Sequence, residues 1–254
     1  METVKILSVE KKKKYYLVMT NGDDYKFDED IIIKYQIFNG KEFTEKEFAK
    51  IIEDSKKVDA YNLSLRYLAY GARSRNEMAK YLKSKGASNI KVVLDRLEEA
   101  GYINDVNLAN YFVGYYKDMK KGPIYIAKRL QEKMVDEKVI ESALSSFSED
   151  EQLCIALNVA KKEQSNLISF PVRKQKEKIY SSLLAKGYSS DVISKVLNCI
   201  EFVDESDERL VKDYESLVEK ASRKNLSNQD QQKWIIEHLL RKGYEYQKIK
   251  DVLI

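Results

Sequence analysis

The sequence predicts a mainly α-helical protein: an elongated, curved array of tandem three-helix repeats behind a small N-terminal β-hairpin or sheet and a helix. Three observations predict it. A short phrase returns four times, as Leu82-Lys83-Ser84-Lys85-Gly86, Leu130-Gln131-Glu132-Lys133-Met134, Leu183-Leu184-Ala185-Lys186-Gly187 and Leu239-Leu240-Arg241-Lys242-Gly243. Recurrence at roughly 50 residues is a mark of stacked structural repeats. The 254 residues hold only 9 Gly and 2 Pro, and no Gly lies between Pro123 and Lys186 or between Tyr188 and Lys242. Such tracts, rich in Lys, Glu, Leu and Ala, favour helix. Only the first stretch reads differently: Thr3–Val9 mixes apolar and polar residues, with Leu7 out of step, and Tyr15–Thr20 is β-branched and aromatic.

Element by element, Asn21-Gly22 between Tyr15–Thr20 and Tyr25–Phe27 predicts a hairpin, in a sheet of two or three strands that must pack on a neighbour. Thr44-Glu45-Lys46-Glu47 is a capping box opening a helix to about Asp54. These elements form an N-terminal segment, residues 1–58. From Asp59 onward only helix is expected, in four repeats at residues 59–101, 102–147, 148–203 and 204–254. In each, a long first helix (about 59–70, 105–119, 149–165 and 206–222) precedes a middle helix that ends on the repeated phrase. Ser74-Arg75-Asn76-Glu77 is a second capping box, and Met78, Ala79 and Leu82 form the buried stripe behind it. Gly86, Gly187 and Gly243 supply left-handed stops; Met134 replaces glycine, so that stop is expected to be built differently. Pro123 and Pro171 sit near helix starts, where proline is tolerated. A closing helix follows, with apolar pairs such as Ile193 and Val196 at helical spacing; in the first copy Val93-Leu94 arrives two residues early. Each unit is too small to bury its own face, so neighbours must stack.

Charge is unevenly placed. Residues 61–135 carry 14 Lys/Arg against 7 Asp/Glu, net +7, while residues 1–60 are net −1 and 136–254 net −2. That pattern predicts a local anionic partner, nucleic acid or an acidic protein surface. The candidate binding cluster is Arg73, Arg75, Lys80, Lys83, Lys117, Lys120, Lys121, Lys128 and Arg129. Lys11–Lys14 reads as an exposed edge or turn.

Nothing points to catalysis. Gly-x-Gly-x-x-Gly and the P-loop pattern are absent. The one histidine, His238, reads as a surface or partly buried structural residue, and one His with two distant Cys cannot make an ordinary zinc site. No cofactor and no metal are expected. Cys154 and Cys199 read as small buried hydrophobes in a reducing cytosol. Tyr67, Tyr70, Tyr81, Tyr111 and Tyr115, among 18 tyrosines, are assigned to packing between helices rather than to base stacking, and Trp234 to the core. No apolar run approaches the 18 residues of a membrane span, and Met1 to Glu10 holds no signal-peptide core; a cytoplasmic monomer is expected.

The repeat unit carries a family resemblance. Arg66-Tyr67-Leu68, Arg73-Ser74-Arg75-Asn76-Glu77-Met78 and Leu82–Gly86 resemble the opening of the first repeat of bacterial RecX proteins, and Leu94–Asp105 its closing helix and the turn into the second. Tyr111, Lys121-Gly122-Pro123, Ile126 and Leu130 match the entry to the second repeat. The likeness covers about 60–147 and continues to 254 through the repeated Leu-x-x-Lys-Gly phrase. The N-terminal sheet looks like the extension of the longer, Gram-positive-type members. Asn104, Met134 and the early first closing helix depart from the pattern. What the resemblance implies is a non-enzymatic modulator, mainly an inhibitor, of the RecA recombinase. It would lie along the helical groove of RecA filaments on single-stranded DNA and restrain strand exchange, ATP turnover and co-protease activity in recombination, DNA repair and the SOS response. Some members of that family also bind DNA directly. A direct DNA-binding helical module, on single- or double-stranded DNA and independent of RecA, is the alternative.

Overall fold

Strand-forming sequence is confined to the first 44 residues, and the remainder is helical. The computed structural model describes residues 3–224 and 227–253. Its strands are β1 (Thr3–Lys11), β2 (Tyr16–Thr20), β3 (Asp24–Phe27) and β4 (Glu42–Thr44). Its helices are α1 (Glu29–Tyr35), α2 (Glu45–Leu68), α3 (Arg75–Ser84), α4 (Ile90–Glu99), α5 (Asp105–Asp118), α6 (Pro123–Glu132) and α7 (Glu137–Leu144), followed by α8 (Glu149–Gln164), α9 (Val172–Ala185), α10 (Ser190–Asn198), α11 (Asp207–Ser222), α12 (Asn228–Lys242) and α13 (Tyr246–Val252). The chain forms two compact units. Unit 1 is Met1–Ala109 with Leu130–Ile140, and unit 2 is Asn110–Arg129 with Glu141–Ile254.

The mainly helical class with a small N-terminal antiparallel sheet agrees with expectation; the sheet is larger than expected. It has four strands in the order β3-β2-β1-β4, all antiparallel. The fourth, β4, is only three residues long and too short to show a period of two. The Asn21-Gly22 turn joins β2 to β3, with Thr20 Oγ1 donating to the Asp23 carbonyl at 2.7 Å. Lys12–Tyr15 make the turn between β1 and β2, closed by Lys12 N–H to the Tyr15 carbonyl at 2.8 Å. A bulge in β1 between Ile6 and Ser8 explains why Leu7 falls out of step: the extra residue is unpaired, so Leu7 is 56% exposed while Ile6 is fully buried. Ile6, Val18, Phe27, Ile31, Phe43, Phe48 and Ile51 form the core under the sheet.

The expected break between a helix ending near Asp54 and another beginning near Asp59 is absent. α2 runs unbroken for 24 residues from its Thr44 capping box. Ser55-Lys56-Lys57-Val58 contains no Gly or Pro to stop it, and Lys57 pairs with Glu53 at 2.9 Å and Asp54 at 3.2 Å along the same turn. One helix therefore supports the sheet with its first half, through Phe48 and Ile51. With its second half it joins the next core, where Ala60 meets Met78, Leu82, Val93, Leu94 and Leu97.

All four repeated phrases end in a left-handed residue. Gly86, Gly187 and Gly243 have φ of 69°, 88° and 98°, and Met134 has φ 53°. The Met134 stop is thus not built differently, contrary to expectation; the turn it closes is held in place by hydrogen bonds from α3. The first closing helix comes late rather than early, contrary to expectation: α4 begins four residues after Gly86, whereas α7, α10 and α13 begin three after Met134, Gly187 and Gly243. Asn89, also left-handed at φ 57°, precedes it without a side-chain cap. In unit 2, Ala156, Ala160, Ile179, Leu183, Tyr188, Ile193 and Val196 make one core, and Leu210, Leu217, Ile235, Leu239, Tyr244 and Ile249 make another, against which Trp234 is partly buried.

Both cysteines are exposed, not buried as expected. Cys154 lies off the Ala156–Ala160 stripe of α8, and Cys199 caps the C-terminus of α10. Among the described residues no helix is long and apolar enough to cross a membrane.

Candidate interaction surface

Three of the four phrase-ending helices, α3, α6 and α9, begin against the stop of another. In unit 1, α3 starts at Ser74, which is fully buried and closes a reciprocal cap with Glu77. Its hydroxyl also donates to the carbonyl of Lys133, and Asn76 Nδ2 donates to that of Met134 at 2.9 Å. Lys133 Nζ lies 3.4 Å from Glu77. In unit 2, Gly122 N–H donates to the Lys186 carbonyl at 2.8 Å and Ile124 N–H to that of Gly187 at 3.1 Å. The Tyr188 hydroxyl, its pKa pushed up to about 12 by burial, donates to the Lys120 carbonyl at 3.3 Å. Also in unit 2, the Gly243 stop lies against the start of α9, at Arg173 and Lys174. At the Gly187 stop, carbonyls left over at one helix end thus meet spare N–H groups of another, whereas at Lys133 and Met134 side-chain donors of Ser74 and Asn76 satisfy them.

The nine predicted cations divide by what they touch. In unit 1, Arg73 stacks on Tyr67 with its guanidinium 4.4 Å from the ring centre, and Tyr67 stacks on Tyr81 at 4.0 Å. Arg75 is bound to Asp95 at 2.7 Å and to Glu98, and its N–H is received by Asp105 at 2.8 Å. Lys80 and Lys83 are exposed on α3 and, among the described residues, have no ion pair. In unit 2, Lys117 pairs with Glu151 at 2.6 Å and covers the Phe147 ring. Lys121 and Arg129 both lie over Tyr125, at 4.6 and 5.0 Å. Lys120, two residues past α5 in the left-handed region at φ 58°, and Lys128 on α6 are exposed and, among the described residues, have no ion pair. Open positive charge therefore rests on Lys80 and Lys83 in one unit and on Lys120 and Lys128 in the other.

Two features escaped the sequence reading. The first is a cleft of about 270 Å³ in unit 2, lined by Lys174, Arg209, Arg241 and Lys242 around Asp213. Lys242 bonds Asp213 at 2.6 Å, and Arg209 stacks on Phe170 at 3.7 Å. Its cations come from three helices of a segment with negative net charge, so the sum concealed the cluster. The second is a group of exposed tyrosines. Tyr70 is 85%, Tyr111 65% and Tyr115 49% exposed, which corrects their assignment to packing; only Tyr67 and Tyr81 are half-buried against each other. A mid-helix glycine beside Tyr115 was the available signal.

His238 holds a structural place. Its Nδ1 donates to the Trp234 carbonyl at 2.7 Å, and its Nε2 accepts from Arg241 at 2.7 Å, a neutral tautomer assigned from those partners. Among the described residues no group of three or more His, Cys, Asp or Glu is placed to hold a metal ion.

Comparison with known proteins bears on this arrangement. The model of the first three-helix domain of RecX matches residues 60–97, and that of the third matches 149–197. Regulatory protein RecX of a serotype V strain of Streptococcus agalactiae is 30% identical, with 98% of each chain covered. The chain belongs to the RecX family. Regulatory protein RecX of Bacillus subtilis is likewise 30% identical over 97% of this chain and 96% of that one. Two RecX crystal structures share the fold. One of a regulatory protein RecX has a TM-score of 0.60 at 27% identity, covering 77% of this chain and 99% of that one. RecX from Lactobacillus salivarius has a TM-score of 0.53 at 30% identity, covering 57% and 98%. The RecX match at residue 60 begins inside α2, so in this member the helix beneath the sheet continues into the first RecX domain.

Proposed function

We propose that this RecX-family chain is a non-enzymatic, cytoplasmic modulator of the RecA recombinase, acting mainly as an inhibitor. It binds RecA filaments on single-stranded DNA along their helical groove, as a monomer built of four three-helix repeats at 59–101, 102–147, 148–203 and 204–254. The observation that carries this reading is the end-to-end likeness to relatives named regulatory protein RecX. The open cations Lys80, Lys83, Lys120 and Lys128 support contact with an anionic assembly and a role in steering it onto the chain. The test is RecA-catalysed ATP hydrolysis on single-stranded DNA, titrated from far below equimolar. Inhibition well below one chain per RecA supports action on filaments; no effect at equimolar removes the reading.

The cleft formed by Lys174, Arg209, Arg241 and Lys242 favours a second reading, direct binding to DNA phosphates. That reading requires binding to DNA alone with a steep loss as salt rises, because each neutralised phosphate releases counterions. Binding that is absent or indifferent to salt removes it.

A further inference from the structure

The solvent face of α5 carries an arrangement that the chain's own folding does not require. Tyr111 and Tyr115, one turn apart, are exposed and nearly parallel, with ring centres 6.0 Å apart and planes at 17°. Each is braced from the side: Tyr111 meets Phe112 edge-on at 6.2 Å, and Tyr115 meets Tyr116 edge-on at 5.1 Å. Met119, a further turn on, is 49% exposed.

Beside this pair, on the flank of Tyr111, lies Gly114, three residues after Tyr111. Glycine inside a helix is less favourable than alanine. Gly114 is not in the left-handed region, and a Cβ built on it would meet nothing within 4 Å. Neither backbone conformation nor internal packing accounts for it. Its effect is a dent in which another backbone can approach α5 beside two braced rings. Exposed, rotamer-restricted tyrosines around such a dent have the make-up of an interface anchor.

We propose that the Tyr111–Gly114–Tyr115 face of α5 is the anchor on which a polypeptide segment of the protein partner docks. The rim argues for polypeptide over nucleic acid. Asp118 on this face and Lys120 just beyond it are both exposed and, among the described residues, without ion pairs, while Lys117 and Lys121 are held by Glu151 and the Tyr125 ring. A phosphate chain is repelled by Asp118, whereas a protein segment with one donor and one carboxylate satisfies both ends of the rim.

The inference rests on the RecA reading, and the partner tested is RecA assembled on single-stranded DNA. The full chain, Gly114→Gln and the pair Tyr111→Ala/Tyr115→Ala are compared for filament binding, binding to bare single-stranded DNA and thermal unfolding. Gly114→Gln is expected to raise the unfolding midpoint and weaken filament binding about tenfold or more. The tyrosine pair is expected to weaken it similarly with an unchanged salt slope. Variants that bind filaments as tightly as the parent overturn the anchor and leave the RecA reading intact. A lowered midpoint for Gly114→Gln also overturns it, by showing that folding needs the glycine. A parent chain that does not bind filaments removes the RecA reading and the anchor with it. Loss confined to bare DNA assigns the face to nucleic acid and overturns the proposal.

Discussion

Gly122 and Gly187 meet backbone to backbone in unit 2, with the Gly122 N–H bonded to the carbonyl just before Gly187 and the Ile124 N–H to that of Gly187 itself. A Cβ on Gly122 would lie 2.7 Å from the Tyr188 nitrogen and closer still to the Gly187 carbonyl. A Cβ on Gly187 would lie 2.6 Å from that of Tyr125. The repeated phrase therefore does two things here: it stops a helix, and it gives the start of another helix a surface free of side chains.

Gly187→Val is expected to cost about 2 kcal/mol or more, since left-handed strain of about 1–2 kcal/mol is joined by a collision with the Tyr125 backbone. Gly86→Ala keeps the strain without the collision, because nothing lies within 4 Å of the added carbon. Denaturant unfolding of both variants measures the difference, and equal losses would show that the α6 contact contributes nothing.

Met134 holds φ 53° without being glycine. Met134→Gly is expected to raise stability by up to about 1 kcal/mol by relieving that strain. A loss instead would mean that packing of the half-buried methionine outweighs the backbone.

Arg75 and Lys83 were predicted together, yet the structure separates their roles. Arg75→Ala leaves Asp95 and Glu98 without their shared cation and takes the guanidinium from the half-buried site beside Asp105. A loss of about 1–2 kcal/mol is expected, with non-additivity against Asp95→Ala in a double-mutant cycle. Lys83→Ala is expected to stay within about 0.5 kcal/mol of the parent. The reversal Lys80→Glu/Lys83→Glu/Lys120→Glu/Lys128→Glu should then weaken filament binding without loss of helicity, a sharper probe than one including Arg73 and Arg75. Unchanged binding by that folded variant would place the partner elsewhere.

Asp54 receives Lys34 and Tyr35, each at 2.6 Å, and Lys57 at 3.2 Å. Lys34 first, then Tyr35, hold its carboxyl well below the usual range despite some desolvation. A folded-state value below the unfolded one means that the stabilisation is complete above the unfolded value, near pH 4. It is lost progressively as pH falls through that value toward the folded one. Asp54→Asn is expected to cost about 1 kcal/mol at pH 7, discounted because Lys34 is mostly exposed, and the gap should narrow as pH drops below about 4. A gap constant from pH 7 to pH 2 would refute this role for the carboxylate.

What was legible in the sequence was local. The Thr44 and Ser74 capping boxes, the Asn21-Gly22 hairpin and the glycine stops each depend on residues within about four positions, a range over which backbone sterics and side-chain caps decide the outcome. The continuity of α2 is equally local, since residues 45–68 contain no helix breaker, although the sequence pattern suggests one helix to about Asp54 and another from about Asp59. The family likeness was legible too, through the Ser74 and Leu82–Gly86 motifs.

By itself, then, the sequence determined the mainly helical class, the glycine stops, the hairpin and the family. Only the tertiary structure decided which cations are open. Arg75 and Lys83 look alike in a charge count, but Asp95, Glu98 and Asp105 reach one and not the other, because α4 and the start of α5 fold back beside α3. In the same way, a helical period places Tyr111 and Tyr115 on one face of α5 without saying whether another helix covers it. Solvent exposure and ion pairing depend on groups distant in the chain, and those distances are set when the cores close.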